Sequence, residues 1–135
     1  MFSLAFDRGH RIVLASFRGE FGSGDIATFD AAAEAFIAAE GPVHFLLDFS
    51  NVRQVSMPDR AIVERAGRPP LCPGFSRVVV APHPEIFGLY CLFVAKQRLL
   101  GADAPIVVRS ARHALDFLGL SMPSFVPVET PPGPA

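Results

Sequence analysis

The side chains with the most potential for chemistry lie around the stretch "LLDFSNVRQVSMPD" at residues 46–59. This stretch supplies Asp48 and Ser56, which together with His83 are the residue types of a nucleophilic Ser–His–Asp set. These residues are common, however, and the chain has no G-x-S-x-G elbow to expose a nucleophilic serine. A cofactor-free enzyme using Asp48 and His83 is therefore the weakest of three hypotheses, and we predict no catalytic residue.

Asp48 follows the apolar part of a predicted central strand, where open α/β sheets place their ligands. It could act as a general base or bind a ligand hydroxyl. Alternatively, its carboxylate bonds backbone amides of the following turn, together with Ser50 or Asn51. The sequence offers no paired carboxylate close by for acid–base chemistry, which favours the structural role.

The segment from Ser56 to Asp59 has the pattern of a helix start. A serine hydroxyl can accept a hydrogen bond from a free backbone amide, and Pro58 in the first turn loses no helical hydrogen bond. Asp59 is suited to the positive end of the helix dipole. We therefore predict that Ser56 caps the second helix.

Two further patterns carry little weight. The stretch "GSGDIA" at residues 22–27 has the outline of a dinucleotide-binding loop. The Asp25 carboxylate would repel a pyrophosphate there and would itself cap the helix. None of the four histidines forms an H-x-x-H or H-x₃-H pair, so the sequence predicts no metal ion, and we expect no cofactor.

Hydrophobic patterning predicts one α/β domain over residues 1–120. The predicted strands cover residues 2–6, 10–18, 43–49, 76–81 and 105–108, and the predicted helices cover 25–40, 57–66, 85–100 and 110–120. The first two strands form a hairpin, and the later alternation of strands and helices predicts a mostly parallel sheet. Five prolines in the last 15 residues predict a disordered tail over residues 121–135.

The strand around Asp48 resembles that of the STAS domain, a family that includes anti-sigma-factor antagonists and the cytoplasmic tails of sulphate transporters. Asp48, Phe49, Ser50 and Val52 match the Asp-Leu-Ser-x-Val strand end of the family. The resemblance implies an α/β fold and a role in protein regulation or ligand binding. It does not imply a catalytic site.

A second part of the resemblance concerns phosphorylation. Family members carry a phosphorylated serine in an Asp-Ser-x-Gly turn, where this chain has Ser56 and Met57. Ser56 is therefore a candidate for a displaced phosphoacceptor as well as for a helix cap. Residues 76–93 and 106–120 resemble the SpoIIAA-like branch of the family, with its Ala-Pro turn and its Ala-Leu-x-x-Leu helix.

The predicted helix over residues 85–100 is apolar nearly all round, so it must be covered on more than one side. Its small residues form a stripe where another element could approach closely: Gly88, Cys91 and Ala95. The cover could be a second copy of the chain or an apolar ligand in a groove. The candidate interaction residues are Phe87, Tyr90 and Phe93 on the helix, with Asp48, Ser50 and Asn51 beside the turn.

Composition excludes several classes of protein. The net charge of −1 gives no basic footprint for nucleic acid. The longest apolar run, at residues 86–95, is too short to span a membrane. Two cysteines cannot build a disulfide framework, so we expect a cytoplasmic protein. We predict a non-catalytic bacterial STAS-like domain that binds a regulatory protein or forms a homodimer; the alternative is a carrier of a lipid-like apolar ligand.

Overall fold

The central strands carry apolar side chains on both faces, as expected for a parallel sheet covered by helices on each side. The computed structural model describes residues 1–129. Its strands are β1 Phe2–Asp7, β2 Ile12–Phe21, β3 His44–Val55, β4 Arg77–Val80, β5 Ile106–Val108 and β6 Val126–Val128. Its helices are α1 Ser23–Glu40, α2 Asp59–Ala66, α3 Pro84–Leu99 and α4 Ala111–Leu118.

The six strands form one mixed sheet in the order β5-β4-β3-β2-β1-β6. Strands β2 to β5 pair in parallel, whereas β1 pairs antiparallel with both β2 and β6. The predicted α/β fold is therefore confirmed, including the N-terminal hairpin, the mostly parallel sheet and the four helices.

The two faces of the sheet have separate cores because neighbouring residues of a strand point to opposite sides. On one face, residues such as Val13, Phe45 and Val79 pack against α1, α2 and α3. On the other face, Ile12 and Leu46 pack with residues of α4 and the segment after it. The three-helix side holds the larger core.

The predicted end of β3 is wrong by six residues, since the strand continues from Phe49 to Val55. The reason is tertiary: β2 runs on to Phe21 and pairs with Val55. Ser56 extends this pairing, because its amide donates to the Phe21 carbonyl at 2.9 Å. Helix α2 is capped by Pro58 without a side-chain hydrogen bond, so the prediction of a Ser56 cap is also wrong.

Helix α1 begins before the predicted position. Gly22 is its N-cap, and Asp25 lies three residues further on, where its Oδ2 accepts a hydrogen bond from the Gly22 amide at 2.8 Å. Asp25 therefore stabilises the first turn without being the N-cap. Its carboxylate still occupies the position at which a pyrophosphate would need free amides.

The predicted disordered tail includes a strand that the sequence pattern did not indicate. In β6, Val126 pairs with Phe6 and Val128 pairs with Leu4. The Ser124 amide also donates to the Asp7 carboxylate at 2.9 Å. The boundary at residue 120 is thus too early, because β1 offers an open edge that this segment fills; residues 130–135 of the predicted tail lie outside the described residues.

Candidate functional site

The parallel strands bring the starts of all four helices to one edge of the sheet. Each of β2 to β5 ends there and is followed by a helix. We call this edge the carboxyl-end rim; its helix N-caps are Gly22, Pro58, His83 and Ser110. The rim is the position at which α/β sheets place ligands, and the stretch from Asp48 to Ser56 leads to it.

The structure places Asp48 in a local role. Its Oδ1 accepts hydrogen bonds from the Ser50 amide at 2.9 Å and from the Ser50 hydroxyl at 2.6 Å. Asp48 is half-buried, while Ser50 and Asn51 are exposed. These residues lie within β3 rather than in a turn, and Asn51 pairs with Arg18 of β2.

The three residues of the Ser–His–Asp hypothesis are engaged separately. His83 caps α3, since its Nδ1 accepts a hydrogen bond from the Glu85 amide at 3.1 Å. The Ser56 hydroxyl is 3.5 Å from the Phe21 carbonyl oxygen. Within residues 1–129 no hydrogen bond joins Asp48, Ser56 and His83, and no group of three His, Cys, Asp or Glu side chains is placed to hold a metal ion.

Ser56 nevertheless has a distinctive position on the rim. It is exposed and lies three residues before Asp59, the first residue of α2. Its hydroxyl lies against the N-cap of α1, because a Cβ atom added to Gly22 would be only 2.8 Å from the Ser56 Oγ. The hydroxyl therefore lies close to the start of α1, where the Gly22 amide already donates to the Asp25 carboxylate.

Helix α3 packs two of its predicted interaction residues into the core of the monomer. Tyr90 and Phe93 are each 6% exposed. The Tyr90 ring contacts that of Phe49 at a centroid distance of 5.2 Å. Phe87 is half-buried beneath the Arg109 guanidinium, whose carbon lies 4.1 Å from the ring centroid. Tyr90 and Phe93 are thus unavailable to a docked protein.

The opposite side of α3 faces solvent. Four residues spaced four, three and four apart share this face, which we call the α3 seam: Gly88, Leu92, Ala95 and Leu99. Leu92 is 41% exposed and Leu99 is 85% exposed. The predicted stripe of small residues (Gly88, Cys91 and Ala95) is therefore on the surface. The spacing of four, three and four residues is the sequence pattern that places Leu92 and Leu99 on the same face.

A cavity of about 60 Å³ lies on the three-helix side of the sheet. We call it the α-face cavity; residues of α1, α2, α3 and the three strands β2 to β4 line it. Most of the lining is apolar, as at Phe45 and Ile62. Four of its side chains are polar, and sequence reasoning did not identify them as a group: Asp30, Arg65, Arg77 and Tyr90.

Charge is unevenly balanced in the α-face cavity. Arg65 holds Asp30 through two hydrogen bonds of 2.8 and 2.9 Å. Arg77 makes no salt bridge within residues 1–129; it donates to Gln97 Oε1 at 2.9 Å and to the backbone carbonyl of Asp103. Burial, together with the positive charge of Arg65, lowers the pKa of Arg77. Burial also raises the pKa of the Tyr90 hydroxyl, so this group stays protonated.

The inward position of one polar residue of the cavity, Asp30, could have been predicted from the sequence pattern. Asp30 follows Ile26 by four residues and precedes Ala33 by three, so helical spacing places it on the inward, apolar face of α1. A charged residue on such a face requires a partner, which is Arg65. Nothing in the local sequence indicates that Arg77 and Tyr90 join them.

Comparisons with known proteins show the fold. No protein-family model matches the chain, and no curated protein matches it in sequence. A solved structure of the anti-sigma factor antagonist SpoIIAA in its unphosphorylated form is similar, with a TM-score of 0.54 and 13% sequence identity. The match covers 88% of this chain and 98% of that chain. No helix within residues 1–129 has the length and hydropathy needed to cross a bilayer. The chain therefore has the STAS fold of SpoIIAA, a single α/β domain with a mixed sheet and an N-terminal hairpin.

Proposed function

We propose that this chain is a non-catalytic regulatory domain that binds a protein partner at the carboxyl-end rim. The observation that carries this proposal is the exposed residue Ser56, whose hydroxyl lies beside the start of α1, within a SpoIIAA-like fold. SpoIIAA is an anti-sigma factor antagonist, so that protein uses this fold in regulation. The local hydrogen bonds of Asp48 and His83 favour binding over catalysis.

The end of β3 offers a surface for the partner. Residues 45–48 pair with β4, whereas residues 51–55 pair only with β2. Asn51, Arg53 and Gln54 are exposed on this projecting part of the strand. A partner can therefore contact polar side chains and unpaired backbone groups together, which is a common mode of protein recognition.

Phosphorylation of Ser56 would regulate this contact. A phosphoserine carries a charge of about −1.5 to −2 at neutral pH. This charge would lie next to Gly22, where the Asp25 carboxylate already binds the backbone amide, so it would alter the complementarity of the rim to a protein partner. Phosphorylation of Ser56 is thus the switch in this proposal.

The rim proposal is tested by partner capture followed by quantitative binding. Protein captured from the source cells on the immobilised chain is identified, purified and titrated against wild type, Ser56→Asp and Ser121→Asp. Ser121 is an exposed serine after α4 and serves as the matched control. We expect Ser56→Asp to change the affinity by at least about tenfold and Ser121→Asp to have little effect. Equal effects of both variants, or the absence of a purified partner that binds, contradict the proposal.

We further propose that the chain forms a homodimer through the α3 seam. Glu85 and Lys96 are about three helical turns apart and so lie on the same flank of the seam. In an antiparallel packing about a two-fold axis near Cys91, Glu85 of each copy would lie beside Lys96 of the other. Gly88 and Ala95 would allow the two helices to approach closely, and Leu92 would be buried between them.

We place this homodimer in the bacterial cytoplasm. Both cysteines are free thiols, and Cys91 is exposed. Exposed free thiols fit a reducing compartment better than an oxidising one.

A further inference from the structure

We propose that the α-face cavity binds a short-chain monocarboxylate such as propionate. Its lining combines apolar walls with two guanidinium groups, one carboxylate and the Tyr90 hydroxyl. This inference goes beyond the protein-binding role proposed above, because it concerns a different site. The cavity also extends beyond the apolar groove predicted at the helix over residues 85–100, since α1 and α2 form part of its lining.

Several donor groups of the cavity lining have no hydrogen-bond acceptor within residues 1–129. Arg65 uses Nε and Nη2 on Asp30, which leaves its Nη1 without a partner within residues 1–129. Arg77 uses only Nη2, so its Nε and Nη1 are likewise unpaired in the described chain. Tyr90 is 6% exposed and its hydroxyl makes no hydrogen bond to residues 1–129. Since arginine side chains only donate, the complementary ligand atoms are acceptors.

The charge of the lining favours an anion. Asp30 neutralises one arginine, so the cavity retains a net formal charge of +1 from the other. A partly buried positive charge without a paired carboxylate is costly, and an anionic ligand would offset that cost. A carboxylate has two acceptor oxygens, so it can accept from an unpaired N–H group of Arg77 or Arg65 through one and from the Tyr90 hydroxyl through the other.

A hydrogen bond to the buried Gln97 side chain fixes the position of the Arg77 guanidinium. Gln97 is fully buried, and its Oε1 accepts from Arg77. Its Nε2 has no hydrogen-bond partner in the described part of the chain. The amide cannot be flipped, because its nitrogen would then face a guanidinium that only donates. The hydrogen bond that positions Arg77 therefore leaves the Gln97 Nε2 group without an acceptor in the described residues.

The size and lining of the cavity limit the ligand. A volume of about 60 Å³ corresponds to about four water-sized groups, taking ~15 Å³ for each. This space accommodates a carboxylate with one or two further carbons. Phe29, Phe45 and Leu47 line the remainder, which favours a hydrocarbon tail over a second polar group.

Calorimetric titration with propionate tests the proposal. We expect saturable binding at millimolar or lower concentrations. Propionamide, the uncharged analogue of similar shape, and inorganic sulphate, an anion without an apolar part, should each bind at least about tenfold more weakly. Absence of propionate binding overturns the proposal, and so does equal binding of either analogue.

Substitutions of residues that line the α-face cavity test whether propionate binds there. Tyr90→Phe keeps the buried ring and removes only the hydroxyl, so it should fold normally and weaken propionate binding by about three- to tenfold. Arg77→Gln should weaken it by at least about tenfold. Arg60→Gln is the matched control, because Arg60 is exposed on α2 and does not line the cavity. Unchanged binding in a folded Tyr90→Phe variant, or equal loss in Arg60→Gln, overturns the assignment even if Arg77→Gln fails to fold.

Discussion

Asp7 shows how a single buried charge connects distant parts of the chain. It is 2% exposed, and its carboxylate accepts hydrogen bonds from the backbone amides of His10 and Ser124 at 3.0 and 2.9 Å. The Nδ1 atom of the His10 ring lies 2.9 Å from Asp7 Oδ2. The Ser124 amide contributes most to lowering the pKa of Asp7, with His10 adding to it against the opposing effect of burial. Asp7 therefore stabilises the β1–β2 hairpin and fastens the segment before β6 to it.

Replacement of Asp7 by asparagine should destabilise the protein at neutral pH. The amide side chain would keep one acceptor oxygen but lose the charge, so we expect the free energy of unfolding to fall by about 1–3 kcal/mol. Urea denaturation at pH 7 measures this loss. Asp59→Asn, which changes an exposed carboxylate on α2, is the control and should change the stability by less than about 0.5 kcal/mol.

The contribution of Asp7 should also depend on pH in a defined direction. Because folding lowers its pKa below the ordinary value of 3.8, the stabilisation is present above that pH. It is lost as the pH falls further, through the pKa of the folded state. The stability difference between wild type and Asp7→Asn should therefore shrink below about pH 4. A difference that grows on acidification would contradict this account.

The ion pair of Asp30 and Arg65 joins α1 to α2 and is almost buried, with exposed side-chain fractions of 12% and 16%. Asp30→Asn would leave the Arg65 charge without its partner, so we expect a loss of about 3 kcal/mol in the free energy of unfolding. Glu34→Gln, an exposed change on the same helix, should have little effect. Equal unfolding curves for wild type and Asp30→Asn would show that the pair does not stabilise the fold.

At the scale of the helix, α3 has two faces with different predicted roles. Phe93 belongs to the core, so Phe93→Asp should unfold the monomer and cannot report on a dimer. Leu92 and Leu99 face outward and are suitable for testing self-association.

The α3 seam predicts the oligomeric state. Light scattering during size-exclusion chromatography should give about 29 kDa for wild type, twice the chain mass of 14.5 kDa. Leu92→Glu should give a folded monomer, because it places a charge in the interface without touching the core. Phe117→Glu, an exposed apolar position on α4, is the matched control and should remain dimeric. A monomeric wild type would eliminate the homodimer.

At the scale of the whole molecule, β6 closes the sheet beside β1. The pairing spans Leu4–Phe6 and Val126–Val128, and Phe125 packs against the core on the α4 side. The two ends of the described chain therefore stabilise each other.

Truncation tests this closure. A chain ending at Leu120, the boundary predicted from the sequence, loses the β6 ladder and the Ser124 hydrogen bond. We expect its free energy of unfolding to be lower by about 3 kcal/mol, since each such hydrogen bond contributes about 1 kcal/mol. A chain ending at Glu129 keeps every contact described above and is the control. Equal thermal unfolding of the two truncated chains would contradict a stabilising role for β6.

The α/β class, the order of the first nine elements and the hairpin are predictable from the sequence, because helix and strand periodicities are local properties of the chain. The extension of β3 was not predictable, since its exposed residues Asn51, Arg53 and Gln54 resemble a loop until this segment of the strand pairs with β2. The short β6, which contains Pro127, forms only where β1 leaves an edge open.

Which polar residues come into contact depends on the folded arrangement of the whole chain. The crossovers between parallel strands place α1, α2 and α3 on the same face of the sheet. Residues of these helices and of β4, which are far apart in the chain, therefore line one cavity. Tyr90 and Gly88 are two residues apart on the same helix, yet one lines that cavity and the other is exposed. The pattern of α3 showed that more than one side needed cover, but packing against the sheet and α2 determined which side remained open.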